Sequence, residues 1–356
     1  MRCIKLLILT IFVLSCGGRR TVPQQRQMEY ASLLKVTDNA VISICPYDGS
    51  QDTLRIDKPL GRIVCMSTSH VAALDEIGCD SVICGVSGAG YISSPALRGR
   101  LERGEVSDVG YDQAPDYEAL LALQPDVVLA YRVSAAASPF IDKLKSLGIQ
   151  VFTLYEFLEN HPLARAEYLK AFGLMTGRLS QAESRFQEIA DSYNSLMEDG
   201  LNPKFSSPEG SVPRPVKVLM NIPYGDLWYV PGDDSYMSRL VKDAGGQILG
   251  ALAGKTESGV MSVELAYILS SQADVWLNTG WCNTRESLLQ AHPFFNKFKV
   301  PSAYNNTLRT SPKGGNDFWE SGSVRPDLIL KDLRTIFEAV RNGGAADSLH
   351  YYLKVY

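Results

Sequence analysis

Residues 180–199, SQAESRFQEIADSYNSLMED, place Ala182, Phe186, Ile189, Ala190, Tyr193, Leu196 and Met197 at helical spacing, with Arg185, Gln187, Glu188, Asp191 and Glu198 opposite. An apolar stripe backed by a charged one is the pattern of an amphipathic helix. Ser180 and Glu183 have the S-x-x-E spacing of a capping box, in which each side chain satisfies the other's orphan backbone N–H. Gly200 and Pro203 end the pattern, and a Pro/Ser-rich stretch over 202–215 follows. At 1.5 Å per residue such a helix spans about 30 Å, the width of a small domain. The chain on either side follows one plan, so the helix reads as a bridge between two α/β halves; periodicity alone also allows a surface helix of a single domain.

The length, 356 residues, exceeds one ordinary core and points to two domains. Before the bridge, strand patterns over 63–66, 81–84, 126–130 and 150–154 alternate with helix patterns over 69–77, 116–123 and 139–147. A further helix is expected over 162–176, with Asn160 as its cap. After the bridge, strands are expected over 216–220, 274–277 and 302–304, and helices over 236–244, 262–269, 285–291 and 326–340. Short apolar strands alternating with helices imply parallel sheets covered on their faces. PDYEALLALQPDVVLAYR (115–132) and MSVELAYILSSQADVWLNTGW (261–281) share a finer plan. Each has an acid in the first helical turn, Glu118 or Glu264, then an apolar helix, then D-V-x-L at a strand.

The N-terminal residues carry Arg2 and Lys5 ahead of a nine-residue apolar run over 6–14, too short for a permanent membrane span. Val13-Leu14-Ser15-Cys16 resembles the bacterial lipobox, which implies cleavage before Cys16 and lipidation of that residue; a plain secretory leader is the alternative. Loss of Arg2 and Lys5 takes the net charge from −4 to −6, which is no footprint for nucleic acid. A tether then leads to an alternating segment over 31–57, expected as a β-hairpin leaning on the first lobe. The expected organisation is a signal peptide at 1–15, tether and β extension at 16–57, an N-terminal α/β lobe at 58–160, a helical segment at 161–200 and a C-terminal α/β lobe at 201–356. Besides Cys16, the mature chain holds Cys45, Cys65, Cys79, Cys84 and Cys282, an odd set without zinc-type spacing. Buried free thiols are expected, with a Cys79–Cys84 bridge left open.

Motifs of chemistry fall short. Gly254-Lys255-Thr256 lacks the earlier glycine of a phosphate loop, since residue 249 is Leu249. Gly85-Val86-Ser87-Gly88-Ala89 lacks the last glycine of a nucleophile elbow. His70, His161, His292 and His350 are scattered. No catalytic set assembles, so neither an enzyme nor a resident metal or cofactor is expected.

RIVCMSTSHVAALDEIGCDSVICGVS, VGYDQAPDYEALLALQPDVVLAY, IDKLKSLGIQVFTL, VPGDDSYMSRLVKDAGGQIL and the bridging helix come in the order of a known family. Over 62–338 the chain resembles the substrate-binding proteins of ABC importers for iron–siderophore complexes, haem and vitamin B12, the type with a helical backbone. GGNDFWESGSVRPDLILKDL is similar to the closing segment of lipoprotein members from Bacteroides-like bacteria. The resemblance implies two Rossmann-like lobes with parallel sheets, joined by one long helix, with a ligand in the cleft between them. Aromatic walls suit a large chelate and arginines suit its acidic groups. Tyr91, Tyr131, Arg132, Trp228, Tyr229, Trp281, Arg309 and Trp319 stand near strand ends or in the loop 309–319, and are the expected ligand contacts. Packing into the lobe cores is the competing role for the aromatics, and solvated surface charge for the arginines. Glu118 and Glu264 match the family's lobe-tip glutamates, which dock on arginines of the permease.

The function these residues imply is capture of a ferric chelate, haem or cobalamin by a monomer on the periplasmic side of the envelope, lipid-anchored to membrane. Delivery to an ABC permease with a cytoplasmic ATPase would follow. The competing class is a chelatase-like or metallocluster enzyme on a related two-lobe fold. The former is expected to show a cleft His and acid pair and the latter Cys ligands, for which Cys282 beside Trp281 and Cys65 are the candidates. A third class is a sensor or surface adhesin using the fold without a permease.

Overall fold

The structure, a computed structural model, describes residues 25–26, 28–201 and 214–356. The leader, Cys16 and most of the tether lie outside the described residues, as does most of the Pro/Ser-rich stretch after the bridge.

The extension is a four-stranded antiparallel sheet rather than a hairpin, with strands Gln25–Arg26, Leu34–Thr37, Ala40–Ile44 and Gln51–Arg55 in sequence order. Buried carboxylates fasten its start to the end of the N-terminal lobe and to the helical segment. Glu167 accepts the backbone N–H groups of Glu29, Tyr30 and Ala31, and Glu159 those of Ser32 and Leu33.

The N-terminal lobe holds an all-parallel sheet in the order Val151–Leu154, Val127–Tyr131, Ile63–Cys65, Ile83–Val86, Ser107–Asp108. The order reverses between Ile63–Cys65 and Val127–Tyr131. In the C-terminal lobe the order is Gly246–Ile248, Val216–Met220, Val275–Leu277, Ala303–Asn305, Leu353–Lys354, with only the last strand antiparallel. It reverses between Val216–Met220 and Val275–Leu277. An antiparallel ribbon, Leu227–Val230 with Gly259–Ser262, stands beside this sheet.

The internal correspondence is physical. Asp116 caps the helix Tyr117–Leu123 and Ser262 caps Val263–Ser270, each side chain accepting a backbone N–H of the first turn. After each helix an aspartate stitches the next strand to its neighbour. Asp126 N donates to Arg62 O and Asp126 Oδ2 accepts from Arg62 N; Asp274 N donates to Lys217 O and Asp274 Oδ2 accepts from Lys217 N.

The bridge is the helix Leu179–Leu201, 23 residues. The expected capping box is not its start: the helix begins at Leu179, and Glu183 pairs with Arg26 of the extension at 2.9 Å. Its apolar face is buried at Ala182, Phe186, Ile189, Ala190 and Tyr193. Tyr193 reaches the C-terminal lobe, donating to Asp243 at 2.7 Å, while Arg185 pairs with Glu76 of the N-terminal lobe. The helix expected over 162–176 is two, Pro162–Glu167 and Leu169–Met175, and His161 rather than Asn160 caps the first. Cys45, Cys65, Cys79, Cys84 and Cys282 are free and buried, so Cys79 and Cys84 do not pair. No helix among the described residues is long and apolar enough to cross a membrane.

Candidate functional site

In open parallel sheets ligands sit beyond the carboxyl ends of the strands, where the strand order reverses. In the C-terminal lobe that point is marked by Asn221 and Asn278, which directly follow Val216–Met220 and Val275–Leu277. Both adopt the left-handed backbone region, with φ of 68° and 62°. Asparagine tolerates that region better than most residues do. Asn221 N donates to Leu277 O and Asn278 N to Tyr304 O, so the sheet ladder runs up to the turns.

Beyond these ends lies a cavity of about 810 Å³ between the lobes. Its wall on the N-terminal side comes from Pro46 and Tyr47 of the extension, with Val133 and Phe157 from loops after parallel strands. The C-terminal lobe supplies Met220, Asn221, Asn278, Tyr236, Met237 and Trp319. Arg165 of the helical segment lies between, with its guanidinium carbon 3.6 Å from the ring centre of Tyr236. Nε of Arg165 donates to Glu159 O and Nη2 to Phe157 O. Burial lowers the Arg165 pKa, and burial raises that of the Tyr236 hydroxyl against the opposing pull of Arg165. The Tyr236 hydroxyl and Asn278 Oδ1 are buried without a hydrogen-bond partner among the described residues. Buried polar atoms are ordinarily satisfied, so these two are available to a bound molecule.

Of the residues expected at the ligand, the structure places Trp319 on this cavity wall. The others lie elsewhere. Trp228 is fully buried and corrects the expectation: side chains alternate along Leu227–Val230, so Trp228 turns inward while Tyr229 is exposed. Trp228 packs with Trp276, Phe295 and Phe298, and its indole N–H donates to Met220 O at 2.7 Å. Trp276 does the same for Asn221 O. These two indoles therefore hold the cavity floor without touching its contents. Tyr131 sits behind Phe157, ring centres 6.2 Å apart, and Arg132 faces a second cavity. Arg309 is neutralised by Asp317 at 2.6 Å and is no open anion receptor at the cleft. His70 is fully buried, 3.3 Å from Glu156.

Tyr91 and Trp281 are exposed and lie against the loop 309–320, which ties the two lobes together. Ser311 Oγ donates to Gly90 O, and Gly315 packs so closely on Tyr91 that a Cβ would collide with its carbonyl. Phe318 is buried, while Glu320 accepts the backbone N–H groups of Ser93 and Ser94 at 2.7 and 2.9 Å. Burial holds the Glu320 pKa at about 7 in spite of those two hydrogen bonds.

Arg165, Tyr236 and Asn278 are functional candidates that sequence reasoning missed. Arg165 sits mid-helix with no motif; the only signal was its place in a helix leading into the bridge. Glu118 and Glu264 are exposed, one on each lobe, in the first turns of their helices. Hydrogen bonds to its own backbone N–H and to Ser262 lower the Glu264 pKa. Cys282 is buried, its Sγ 3.7 Å from Ser287 O and its pKa raised by burial, so it is no exposed metal ligand. Among the described residues no three His, Cys, Asp or Glu side chains are placed to hold a metal ion.

Comparison with known proteins agrees with this architecture. The chain is 27% identical over 335 residues to the uncharacterized lipoprotein MJ0878 of Methanocaldococcus jannaschii, covering 90% of this chain and 75% of that one. The fold is similar to a periplasmic heme binding protein from Pseudomonas aeruginosa, with TM-score 0.60 and 18% identity over 83% of this chain and 98% of that one. It is also similar to the periplasmic vitamin B12 binding protein of Vibrio cholerae, with TM-score 0.55 and 12% identity over 80% of this chain and 98% of that one. The periplasmic binding protein family model matches residues 63–308. With two lobes, a bridging helix and a cleft at the strand ends, the chain belongs to the periplasmic binding protein family.

Proposed function

We propose that this protein is the lipid-anchored receptor of an ABC importer, taking up a metal chelate in the interlobe cavity and handing it to a permease. The observation that carries the reading is the cavity itself: about 810 Å³, walled by both lobes, with Arg165 on its floor. Pockets of this size enclose most of a small molecule, and apolar walls with a few fixed polar groups set its orientation. Phe157, Met237 and Trp319 offer apolar surface to a ring system, and Arg165 offers a cation to an acidic substituent.

The cargo is a ferric siderophore, a haem or a corrinoid. Solved structures of similar fold are named for binding heme and vitamin B12, which supports the haem and corrinoid part of that range. The described thiols and His70 are buried away from the cavity. Tyr47 and Tyr236 line the cavity, and a tyrosine hydroxyl can serve haem iron as an axial ligand, so haem and a chelate whose own donors fill the metal's shell both stay within the proposed range. Glu118 and Glu264 are the docking acids of the two lobes, and Cys16 carries the lipid that holds the receptor at the envelope.

The test is the absorption spectrum of protein purified from its native cell, followed by titration of the stripped protein with haem, ferric siderophores and cobalamin, whose bands differ. One chelate binding at one equivalent, with affinity lost in Arg165→Gln, supports the reading. Failure of all three classes to bind overturns it.

A further inference from the structure

The extension does more than lean on the N-terminal lobe. Between them lies a second cavity of about 430 Å³. Its depth is made by Ser43, Thr153, Tyr155 and Arg132. Ser43 is 1% exposed, and its Oγ is buried without a partner among the described residues. It lies on the buried face of the strand Ala40–Ile44, so burial on the lobe, not a turn or a cap, put the hydroxyl there. Thr153 and Tyr155 are also buried.

Arg132 is the one cation at this depth. Its Nη2 donates to Ala135 O and Ala136 O, while its Nε is buried without a partner among the described residues. No carboxylate among the described residues lies within ion-pair distance of it. Asp52, Asp142 and Lys145 also line the cavity, but Asp142 and Lys145 are exposed and Asp52 is half-buried. Exposed charges are screened by water and salt, whereas a partly buried guanidinium is screened less. The deep groups therefore decide the chemistry: one guanidinium with the Ser43, Thr153 and Tyr155 hydroxyls and the buried Cys45 thiol around it.

We infer that this second cavity is a binding site for a small free anion, a phosphate or carboxylate, held by Arg132 with the Ser43 and Thr153 hydroxyls. The inference stands apart from what the cleft holds. Tyr47 separates the two chambers: it lines the cleft, and its hydroxyl donates to Arg132 O at 3.2 Å.

The experiment is calorimetric titration of the purified protein with inorganic phosphate and with acetate. The expected result is one equivalent bound, weakened about tenfold or more in Arg132→Gln and severalfold in Ser43→Ala, and retained in Arg165→Gln. Should Arg132→Gln fail to fold, Ser43→Ala decides: a severalfold loss supports the site, and unchanged affinity overturns it. The site is also overturned if neither anion binds, or if a folded Arg132→Gln binds as tightly as the parent. Loss of binding in Arg165→Gln alone would place the anion in the cleft and overturn the site. Binding to phosphatidylglycerol vesicles without binding to free anion would overturn it too, since the source would be a lipid headgroup.

Discussion

The guanidinium carbon of Arg165 lies 3.6 Å from the ring centre of Tyr236, joining the helical segment to the C-terminal lobe under the cleft. The ring face holds the cation while two guanidinium nitrogens are spent on Phe157 O and Glu159 O. The group is thus oriented before any ligand arrives.

Arg165→Gln is expected to weaken chelate binding by about 1.5–3 kcal/mol, the usual worth of a hydrogen bond to a charged group. Titration of the stripped protein reads this directly. Unchanged affinity would remove Arg165 from the site.

Trp319 and Trp228 separate contact from support. Trp319→Ala is expected to weaken ligand binding by about 2 kcal/mol with little change in melting temperature, since the ring is half-exposed on the cavity wall. Trp228→Ala is expected to cost about 3–5 kcal/mol of stability through the cavity it leaves. Chemical denaturation beside ligand titration checks both; the reverse pattern would contradict the placement of the two indoles.

The double change Glu118→Ala and Glu264→Ala is expected to leave ligand affinity nearly unchanged and to impair cellular uptake, because both acids are exposed on the lobes. Transport equal to the parent's, at equal expression, would rule out the docking role.

Glu320 makes stability depend on pH. Its pKa is raised from the model-peptide range to about 7 in the folded protein, chiefly by burial. The folded state therefore holds this proton longer than the unfolded chain does. Its contribution is complete below the unfolded pKa, near 4.5, and is lost as pH rises through about 7. The amount is on the order of 3 kcal/mol. Melting temperatures of the parent and of Glu320→Gln at mildly acid and mildly alkaline pH should show a steeper alkaline decline in the parent. Parallel pH profiles would exclude Glu320 as the titrating group.

Cys16→Ala is expected to release the protein from membranes and to abolish acylation. Mass spectrometry of the two forms checks this; a variant that still carries acyl chains would contradict lipidation at Cys16.

The sequence by itself determined the alternation of the principal strands and helices, the bridge, and the paired helix–strand units with Asp126 and Asp274 at the strand starts. These rest on local periodicity and caps, which are set by backbone geometry within a few residues. It did not determine the helix Pro95–Glu102, the strands Ser107–Asp108, Gly246–Ile248 and Leu353–Lys354, or the ribbon Leu227–Val230 with Gly259–Ser262. The tertiary structure decided which side chains meet in the cleft. Trp228 and Tyr229 are neighbours in sequence, yet the ribbon pairing turns one into the core and leaves the other exposed. Arg309 stands in a polar loop, yet Asp317, eight residues on, neutralises it. Arg165 and Tyr236 carry no local signal, because their contact joins two helices far apart in the sequence, Pro162–Glu167 and Tyr236–Asp243. The strand orders, and with them the positions of Asn221 and Asn278, depend on long-range pairing that no window of sequence contains. The extension likewise gained its second cavity only by packing on the lobe, where Ser43, Arg132 and Thr153 come to line one space.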